Sequence, residues 1–130
     1  MFEQLSIKTN KKVELVDITS KIRNVVSKSE IDEGIVQINI PHTTAAITIN
    51  ENADPSVKED IVKELNKIIP FNDNYKHLEG NSAAHIKSSI IGSNETVIIN
   101  GGHLELGRWQ GIIFCEFDGS RRRKINVKVL

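Results

Sequence analysis

The residues best suited to chemistry lie close together in the segment 75–92, YKHLEGNSAAHIKSSIIG. Two imidazoles, one carboxylate and one amide occur in it, at His77, His85, Glu79 and Asn81. Imidazoles and carboxylates transfer protons and bind metal ions, and the unpaired N–H groups at a helix start attract anions. We therefore interpret the segment as half of a small-molecule site, in which Gly80 lets the backbone turn.

A helix is predicted over residues 82–91 of this segment, with Asn81 or Ser82 as its N-terminal cap and Gly92 as its end. Asn81 and His85 are four residues apart and share one face of that helix. A separate face is apolar and is formed by Ala83, Ile86 and Ile90. The polar face is therefore free to contact a ligand.

A second candidate segment is His42-Thr43-Thr44, which directly follows a predicted strand that ends at Pro41. Functional loops often begin where a strand ends. The three side chains could hold phosphate oxygens or, through His42, a metal ion. Equally, threonines suit β structure, and His42 could be a solvated loop residue.

Two further segments offer ligand-binding side chains. Glu51 and Asn52 precede a predicted helix start at Asp54 and have no obvious structural task. Trp109 and Gln110 follow a glycine-rich stretch that lacks the Lys-Ser/Thr of a phosphate-binding P-loop. Trp109 could stack on a flat heterocycle to which Gln110 hydrogen-bonds, or it could fill the core.

The strand predicted over 111–118 carries a carboxylate on an otherwise apolar face, where Glu116 follows Ile112 and Phe114. Such a carboxylate lies at the sheet rim, is paired, or belongs to a site with a shifted pKa. Asp118 begins a turn and is expected at the rim. The single cysteine, Cys115, is expected to be a small buried hydrophobic residue.

Composition limits the class of protein. The 130 residues carry 17 basic and 17 acidic side chains and include 38% hydrophobic residues, which fits one globular domain over residues 1–130. Zero net charge gives no global attraction to nucleic acid or to a membrane surface. We found no signal peptide pattern and no apolar run of membrane-spanning length. We therefore expect a cytoplasmic protein with neither partner.

The elements that position these residues are mostly strands. The pattern predicts an opening hairpin formed by residues 2–9 and 12–17, then a helix from Ile18 and strands over 36–40 and 45–50. A second helix starts at Asp54-Pro55, and its apolar stripe is Val57, Ile61, Leu65 and Ile68. Strands over 95–100, 111–118 and 124–130 follow the third helix. Two-sided alternation favours antiparallel sheets in an α+β fold with about three helices.

The only basic run, residues 121–124, reads RRRK. The run could bind nucleic acid or a phosphorylated ligand, but four residues in a neutral chain are a weak indication, and no RNA-binding or zinc-finger pattern accompanies them. Such a run is typical of a solvated turn or of an ion-pair network at a subunit contact.

Three stretches in this order, PHTTAAITINENADP, YKHLEGNSAAHIKSSIIG and GRWQGIIFCEFDGSRRRK, resemble the YjbQ-type secondary thiamine-phosphate synthase family. The resemblance covers nearly the whole chain. It implies a sandwich-like arrangement of antiparallel sheets with a helix packed on or between them, and a homotrimer. It also implies weak thiamine-phosphate synthase activity, which joins an aminopyrimidine methyl diphosphate to a thiazole phosphate and releases diphosphate. A non-enzymatic trimer that binds a metal or a phosphorylated ligand is the alternative.

The family motifs carry over to specific positions. His77, Glu79, His85 and Glu116 become catalytic candidates, and His42, His77 and His85 become candidate ligands of a divalent metal, zinc or magnesium. The candidate ligand-binding residues are Thr43, Thr44, Glu51, Asn52, Gly80, Asn81, Trp109 and Gln110. The chain departs from the family pattern at Arg108, where a small residue is expected, and at Ser120, where proline is common.

Overall fold

The computed structural model covers residues 1–130 and contains eight strands and three helices. In chain order the elements are β1 (Phe2–Lys8), β2 (Glu14–Asp17), α1 (Thr19–Ser29), β3 (Gly34–Asn39), β4 (Ala45–Glu51), α2 (Pro55–Ile68), α3 (Ser82–Ile91), β5 (Asn94–Asn100), β6 (His103–Leu104), β7 (Gln110–Glu116) and β8 (Arg122–Val129).

The strands form two antiparallel sheets. One has five strands in the order β1-β8-β3-β5-β6, and the other has three in the order β2-β7-β4. In the smaller sheet β7 is central, and Ala45 of β4 lies opposite Glu116 while Glu51 lies opposite Gln110. All pairings are antiparallel, as the sequence pattern predicts.

The main core fills the space between the inner faces of the two sheets. Helix α1 contributes Ile22, Val25 and Val26 to this core, against residues from both sheets such as Phe114 and Ile125. A smaller core on the other face of the three-stranded sheet lies under α2 and α3. The α+β fold with antiparallel sheets and three helices is thus confirmed.

Local chemistry explains where α1 and α2 begin. Asp54 accepts a hydrogen bond of 2.9 Å from the Ser56 N–H, and Pro55 occupies the first turn, where its missing N–H costs nothing. At α1, Asp17 accepts a hydrogen bond of 2.8 Å from the Thr19 N–H. None of the three helices is both long and apolar enough to cross a membrane.

The predicted opening hairpin is wrong. β1 pairs with β8 in the larger sheet, whereas β2 pairs with β7 in the smaller one. The segment between them is held by the turn that precedes β8, because Thr9 N–H donates to Arg121 O and Gly119 N–H donates to Lys12 O. Both partner strands are distant in sequence, so the local alternation predicts strands without revealing their partners.

The predicted apolar face of α3 is also wrong in part. Ala83 is buried as expected, but Ile90 is 65% exposed and Ile86 is exposed too. The buried face consists of small residues and one lysine: Ala83, Ala84, Lys87 and Ser88. Small side chains let α3 lie close to the sheet. On α2, Ile68 is likewise 70% exposed.

Candidate functional site

A cleft of about 340 Å³ opens where the start of α3 meets the β3–β4 connection and the turn between β7 and β8. Eight polar residues line it: Thr43, Thr44, His77, Glu79, Asn81, His85, Asp118 and Arg121. Six of these are residues that the sequence predicts for a site. The structure therefore brings residues of the segment 75–92 together with Thr43 and Thr44 in one place.

Two imidazoles lie side by side at the mouth of this cleft. The ring centroids of His77 and His85 are 5.6 Å apart and the ring planes are nearly perpendicular. Glu79 Oε2 is 3.9 Å from His77 Nε2. Gly80 follows with φ of 78°, a left-handed conformation that favours glycine and turns the chain into α3. His77 and Glu79 thus lie just before the turn at Gly80, and His85 lies on the helix that follows it.

Asn81 is the N-terminal cap residue of α3, as predicted, but its side chain makes no capping hydrogen bond. Its Nδ2 instead donates to Asp118 Oδ2 at 3.1 Å. Its Oδ1 is buried and has no hydrogen-bond partner. A buried acceptor without a partner is costly and is typical of a group that meets a ligand or an ordered water.

Asp118 and Arg121 belong to the cleft although the sequence analysis did not select them as site residues. Arg121 Nη2 donates to Asp118 Oδ2 at 3.2 Å, and its side chain remains half exposed. The turn between β7 and β8 carries both residues to the start of α3. Arg121 belongs to the basic run and Asp118 to the turn that the sequence predicts at the sheet rim. Only the pairing of distant segments shows that both line this cleft.

His42 lies beside this cleft and does not line it. Its Nε2 accepts a hydrogen bond of 2.9 Å from the Lys124 N–H, which leaves only Nδ1 free. Burial lowers the pKa of His42, and the nearby Arg123 guanidinium lowers it further. The imidazole is thus held neutral, with its proton on Nδ1.

Glu116 is fully buried behind the cleft and does not line it. Its carboxylate accepts hydrogen bonds from Arg123 Nε at 2.9 Å, from the Thr9 hydroxyl at 2.8 Å and from the Asp118 N–H at 3.0 Å. Burial alone would raise the pKa of Glu116, but these bonds outweigh it and hold that pKa below its usual value.

Arg123 connects this carboxylate to the cleft. It is 3% exposed and donates through Nη2 to the Thr44 hydroxyl at 2.8 Å and to the Thr44 carbonyl at 3.2 Å. The expectation that the basic run is a solvated turn is therefore wrong for Arg123. The β8 strand holds Thr44 through this side chain and His42 through the Lys124 N–H.

The other predicted ligand-binding residues lie at the opposite end of the smaller sheet. Trp109 is 54% exposed, so it does not fill the core. Gln110 Oε1 accepts a hydrogen bond from the Gly107 N–H at 2.7 Å and closes the turn before β7. From Ala45 to Glu51, β4 rises about 3.3 Å per residue, so roughly 20 Å separates the two ends.

Glu51 and Asn52 have structural tasks at that end, contrary to expectation. Glu51 Oε2 accepts a hydrogen bond from the Asp54 N–H at 3.0 Å, next to the start of α2. Asn52 Nδ2 donates to Asp17 Oδ2 at 3.0 Å. Asn52 also packs against Gly111, where an added Cβ would lie 2.6 Å from the Asn52 Cβ.

No group of three or more His, Cys, Asp or Glu side chains is arranged as a ready metal site. His77 lies near both His85 and Glu79 at the cleft mouth, but the three are not arranged as such a site. Cys115 is buried, as expected, and burial raises the pKa of its thiol to about 12. A thiol with that pKa is not an available nucleophile or metal ligand at neutral pH.

Comparison with known proteins places this geometry in a family. The family model described as "UPF0047 protein YjbQ-like" matches residues 3–130. A UPF0047 protein of Methanocaldococcus jannaschii is 58% identical over 130 residues, which cover 100% of this chain and 94% of that relative. The UPF0047 protein YugU of Bacillus subtilis is 47% identical over 131 residues, covering 100% of this chain and 99% of YugU.

Crystal structures of two similar proteins share the fold. A YjbQ/UPF0047 family protein from Clostridium acetobutylicum superposes with a TM-score of 0.97 at 49% identity, covering 98% of this chain and 99% of the other. A protein of unknown function from Sulfolobus solfataricus gives 0.95 at 33% identity, covering 99% of this chain and 95% of the other.

Proposed function

Since the chain belongs to the YjbQ-like UPF0047 protein family, we propose that it is a low-activity transferase of the thiamine-phosphate synthase type. The cleft at the start of α3 would bind phosphoryl groups and carry out the reaction. One observation carries this proposal: two imidazoles, a guanidinium and two threonine hydroxyls from three separate parts of the chain line one cleft. Together they can neutralise and hydrogen-bond phosphoryl oxygens. The choice of reaction rests on the family resemblance.

In this reaction the C–O bond between the aminopyrimidine methylene and diphosphate breaks, and diphosphate keeps the electron pair. The lone pair of the thiazole ring nitrogen forms the new C–N bond. Negative charge grows on the departing oxygen, so the site must supply positive charge and hydrogen-bond donors. Arg121 supplies a permanent positive charge, because a guanidinium does not lose its proton in proteins.

The cleft residues divide these tasks. His77 and His85 donate hydrogen bonds or protons to the departing diphosphate. Glu79, whose Oε2 is 3.9 Å from His77 Nε2, helps to orient the His77 ring. Thr43 donates its exposed hydroxyl to a phosphoryl oxygen. Glu116 acts as a positioning residue: although it was a catalytic candidate, its buried carboxylate holds Arg123 and does not reach the cleft.

A divalent metal, zinc or magnesium, stays a prediction of the family resemblance, because no three such side chains are arranged to hold one. His77, His85 and Glu79 would be its ligands at the cleft mouth, and their nitrogen and oxygen donors would suit zinc better than magnesium. When bound, such an ion would neutralise diphosphate charge. His42 has only Nδ1 left for a metal, since Nε2 accepts the Lys124 N–H. We expect a chelator to lower the affinity for diphosphate and zinc to restore it.

Turnover of the two substrates tests the proposal directly. The measurement is thiamine phosphate formed from the aminopyrimidine methyl diphosphate and the thiazole phosphate. His77→Ala and His85→Ala should each lower turnover by about 10²-fold or more, as expected for removal of a general acid or base. His103→Ala is the matched control, because His103 is exposed on β6, outside the cleft. Unchanged turnover in both folded cleft variants would rule the proposal out.

The alternative function is a trimer that binds a metal or a phosphorylated ligand without turnover. The unpartnered Asn81 Oδ1 suits either function, since it awaits a donor or a metal. Wild-type protein that binds phosphate through Arg121 but forms no product from the two substrates would favour this alternative.

We further propose a homotrimer in which one subunit completes the cleft of the next. Support comes from the roughly 20 Å of β4 between the His85 cleft and Trp109. Exposed Trp109 would pack on a substrate ring held by the neighbouring subunit. Mass measurement by light scattering tests the trimer.

Mixed trimers test the sharing of the site. His85→Ala and Trp109→Ala protomers, unfolded and refolded together in equal amounts, should recover about a quarter of wild-type turnover if each site combines two subunits in a closed ring. Each variant refolded alone should stay inactive. A mixture no more active than the average of the two single variants would contradict a shared site.

A further inference from the structure

A second cleft, of about 320 Å³, adjoins the first one. It lies between the β3–β4 connection and the C-terminal half of α3. Its lining is His42, Thr43, Ala45, His85, Ser88, Ser89, Gly92 and Ser93. Thr43 and His85 line both clefts, so a single extended molecule can occupy the two together. Three of these residues are serines, at 88, 89 and 93, and none of them is a site residue that the sequence predicts.

Ser88 gives the first indication that the second cleft takes a ligand. Its side chain is only 7% exposed, and its hydroxyl has no hydrogen-bond partner. The neighbouring Ser89 hydroxyl, by contrast, donates to His85 O at 2.9 Å. A buried hydroxyl without a partner is destabilising, so a serine at this position needs a partner from outside the chain.

His42 gives the second indication. Because its Nε2 accepts the Lys124 N–H, the neutral ring carries its proton on Nδ1. The Nδ1–H group makes no hydrogen bond within the protein, because the His42 side chain bonds only through Nε2. The second cleft therefore offers one free donor from His42 and one free hydroxyl from Ser88, which can donate or accept.

The charge of the two clefts differs. Glu79, Asp118 and Arg121 line the first cleft, whereas no Asp, Glu, Lys or Arg lines the second. A neutral lining of hydroxyl and imidazole groups suits an uncharged part of a ligand that donates and accepts hydrogen bonds. It does not suit a second phosphoryl group, whose charge would remain unneutralised.

We propose that the second cleft binds the hydroxylated, uncharged arm of a ligand whose phosphoryl group lies near Arg121, and that Ser88 selects for that arm. This inference rests on the proposed function insofar as the first cleft holds the phosphoryl group. The two proposals can be tested separately, because phosphate affinity depends on the first cleft and preference for a hydroxylated arm depends on the second.

Calorimetric titration with inorganic phosphate, ethyl phosphate and glycerol 3-phosphate separates the two demands. Ethyl phosphate has no hydroxyl on its arm, and glycerol 3-phosphate has two. Wild-type protein should bind glycerol 3-phosphate about 10-fold more tightly than ethyl phosphate, the ratio that about 1.4 kcal/mol of added hydrogen bonding gives. Ser88→Ala should reduce this ratio to near one and leave the affinity for inorganic phosphate unchanged.

Ser20→Ala is the matched control, because it makes the same chemical change on an exposed position of α1. It should retain the wild-type ratio. Thermal unfolding without ligand gives an independent readout: Ser88→Ala should melt no lower than wild type, since it removes an unpaired buried hydroxyl. A lower melting temperature would show that the hydroxyl has a partner within the protein and would contradict the inference.

The remaining outcomes are also decisive. If wild-type protein binds both organic phosphates equally while inorganic phosphate binding depends on Arg121, the proposed arm site is wrong and the phosphoryl site stands. If Ser88→Ala keeps the preference for glycerol 3-phosphate, Ser88 does not select the arm. If no phosphate compound binds, the proposed function itself fails.

Discussion

Replacing Arg123 by methionine should lower the free energy of unfolding and weaken the support of the cleft. Arg123 and Glu116 form a buried ion pair that joins β8 of the larger sheet to β7 of the smaller one. Methionine would leave a carboxylate buried without its partner cation. Breaking such a pair costs about 3–5 kcal/mol, a large part of a total stability of roughly 5–15 kcal/mol. We expect urea unfolding of Arg123→Met to give a free energy of unfolding about 3–5 kcal/mol below that of the wild-type protein.

The expected loss of stability comes from an unpaired buried charge, so a double variant is the sharpest test. Glu116→Leu alone should be strongly destabilising, because it leaves Arg123 buried and charged. Glu116→Leu combined with Arg123→Met leaves neither charge of this pair buried. The double variant should therefore lose less free energy of unfolding than the two single variants together, by about 2 kcal/mol or more. Additive losses would show that the two side chains act separately and would refute the argument.

A second readout distinguishes support of the cleft from support of the fold. Arg123 is the side chain that holds the Thr44 hydroxyl and carbonyl. The double variant should therefore regain stability without regaining phosphate affinity. Phosphate binding that recovers together with stability would mean that Arg123 does not position the β3–β4 connection.

Two further predictions follow from the packing and the charges. Gly111→Ala should cost about 1–3 kcal/mol by overpacking, because the new Cβ would lie 2.6 Å from the Asn52 Cβ; Gly107→Ala, where the nearest atom is the flexible end of Gln110 at 3.2 Å, should change the melting temperature little. Acidification should destabilise the protein through His42, because burial lowers the pKa of His42 in the folded protein below the ordinary value of 6.5. As the pH falls from 6.5 towards that lowered pKa, the unfolded chain binds a proton at His42 that the folded protein does not, so stability is lost. His42→Gln should flatten this part of a stability curve measured between about pH 7 and 5.

The sequence predicts elements well wherever the information is local. Asp54-Pro55 marks the start of α2, and both the cap bond and the proline position are observed. His77 and Glu79 are two residues apart in sequence and share the mouth of one cleft. Such features depend on neighbours within a few residues, so a pattern in the sequence determines them.

Features that depend on distant segments could not be predicted in the same way. The alternation of β1 and β2 indicates two strands but not that they join different sheets. Arg121 enters the cleft only because β8 pairs between β1 and β3 and the turn that precedes it reaches α3. Ser88 is recognisable as a candidate only once its hydroxyl is known to be buried without a partner.

One long-range contact did leave a pattern in the sequence. Glu116 continues the face of β7 that carries Ile112 and Phe114, and Arg123 begins the buried face of β8. Two opposite charges at the ends of inward-facing strand patterns have to meet or remain costly, because neither can reach water. Their pairing joins the two sheets at the point where the β3–β4 connection ends at Thr44. The cleft thus lies beside the buried ion pair of Arg123 and Glu116, and a site that must keep its geometry benefits from such support.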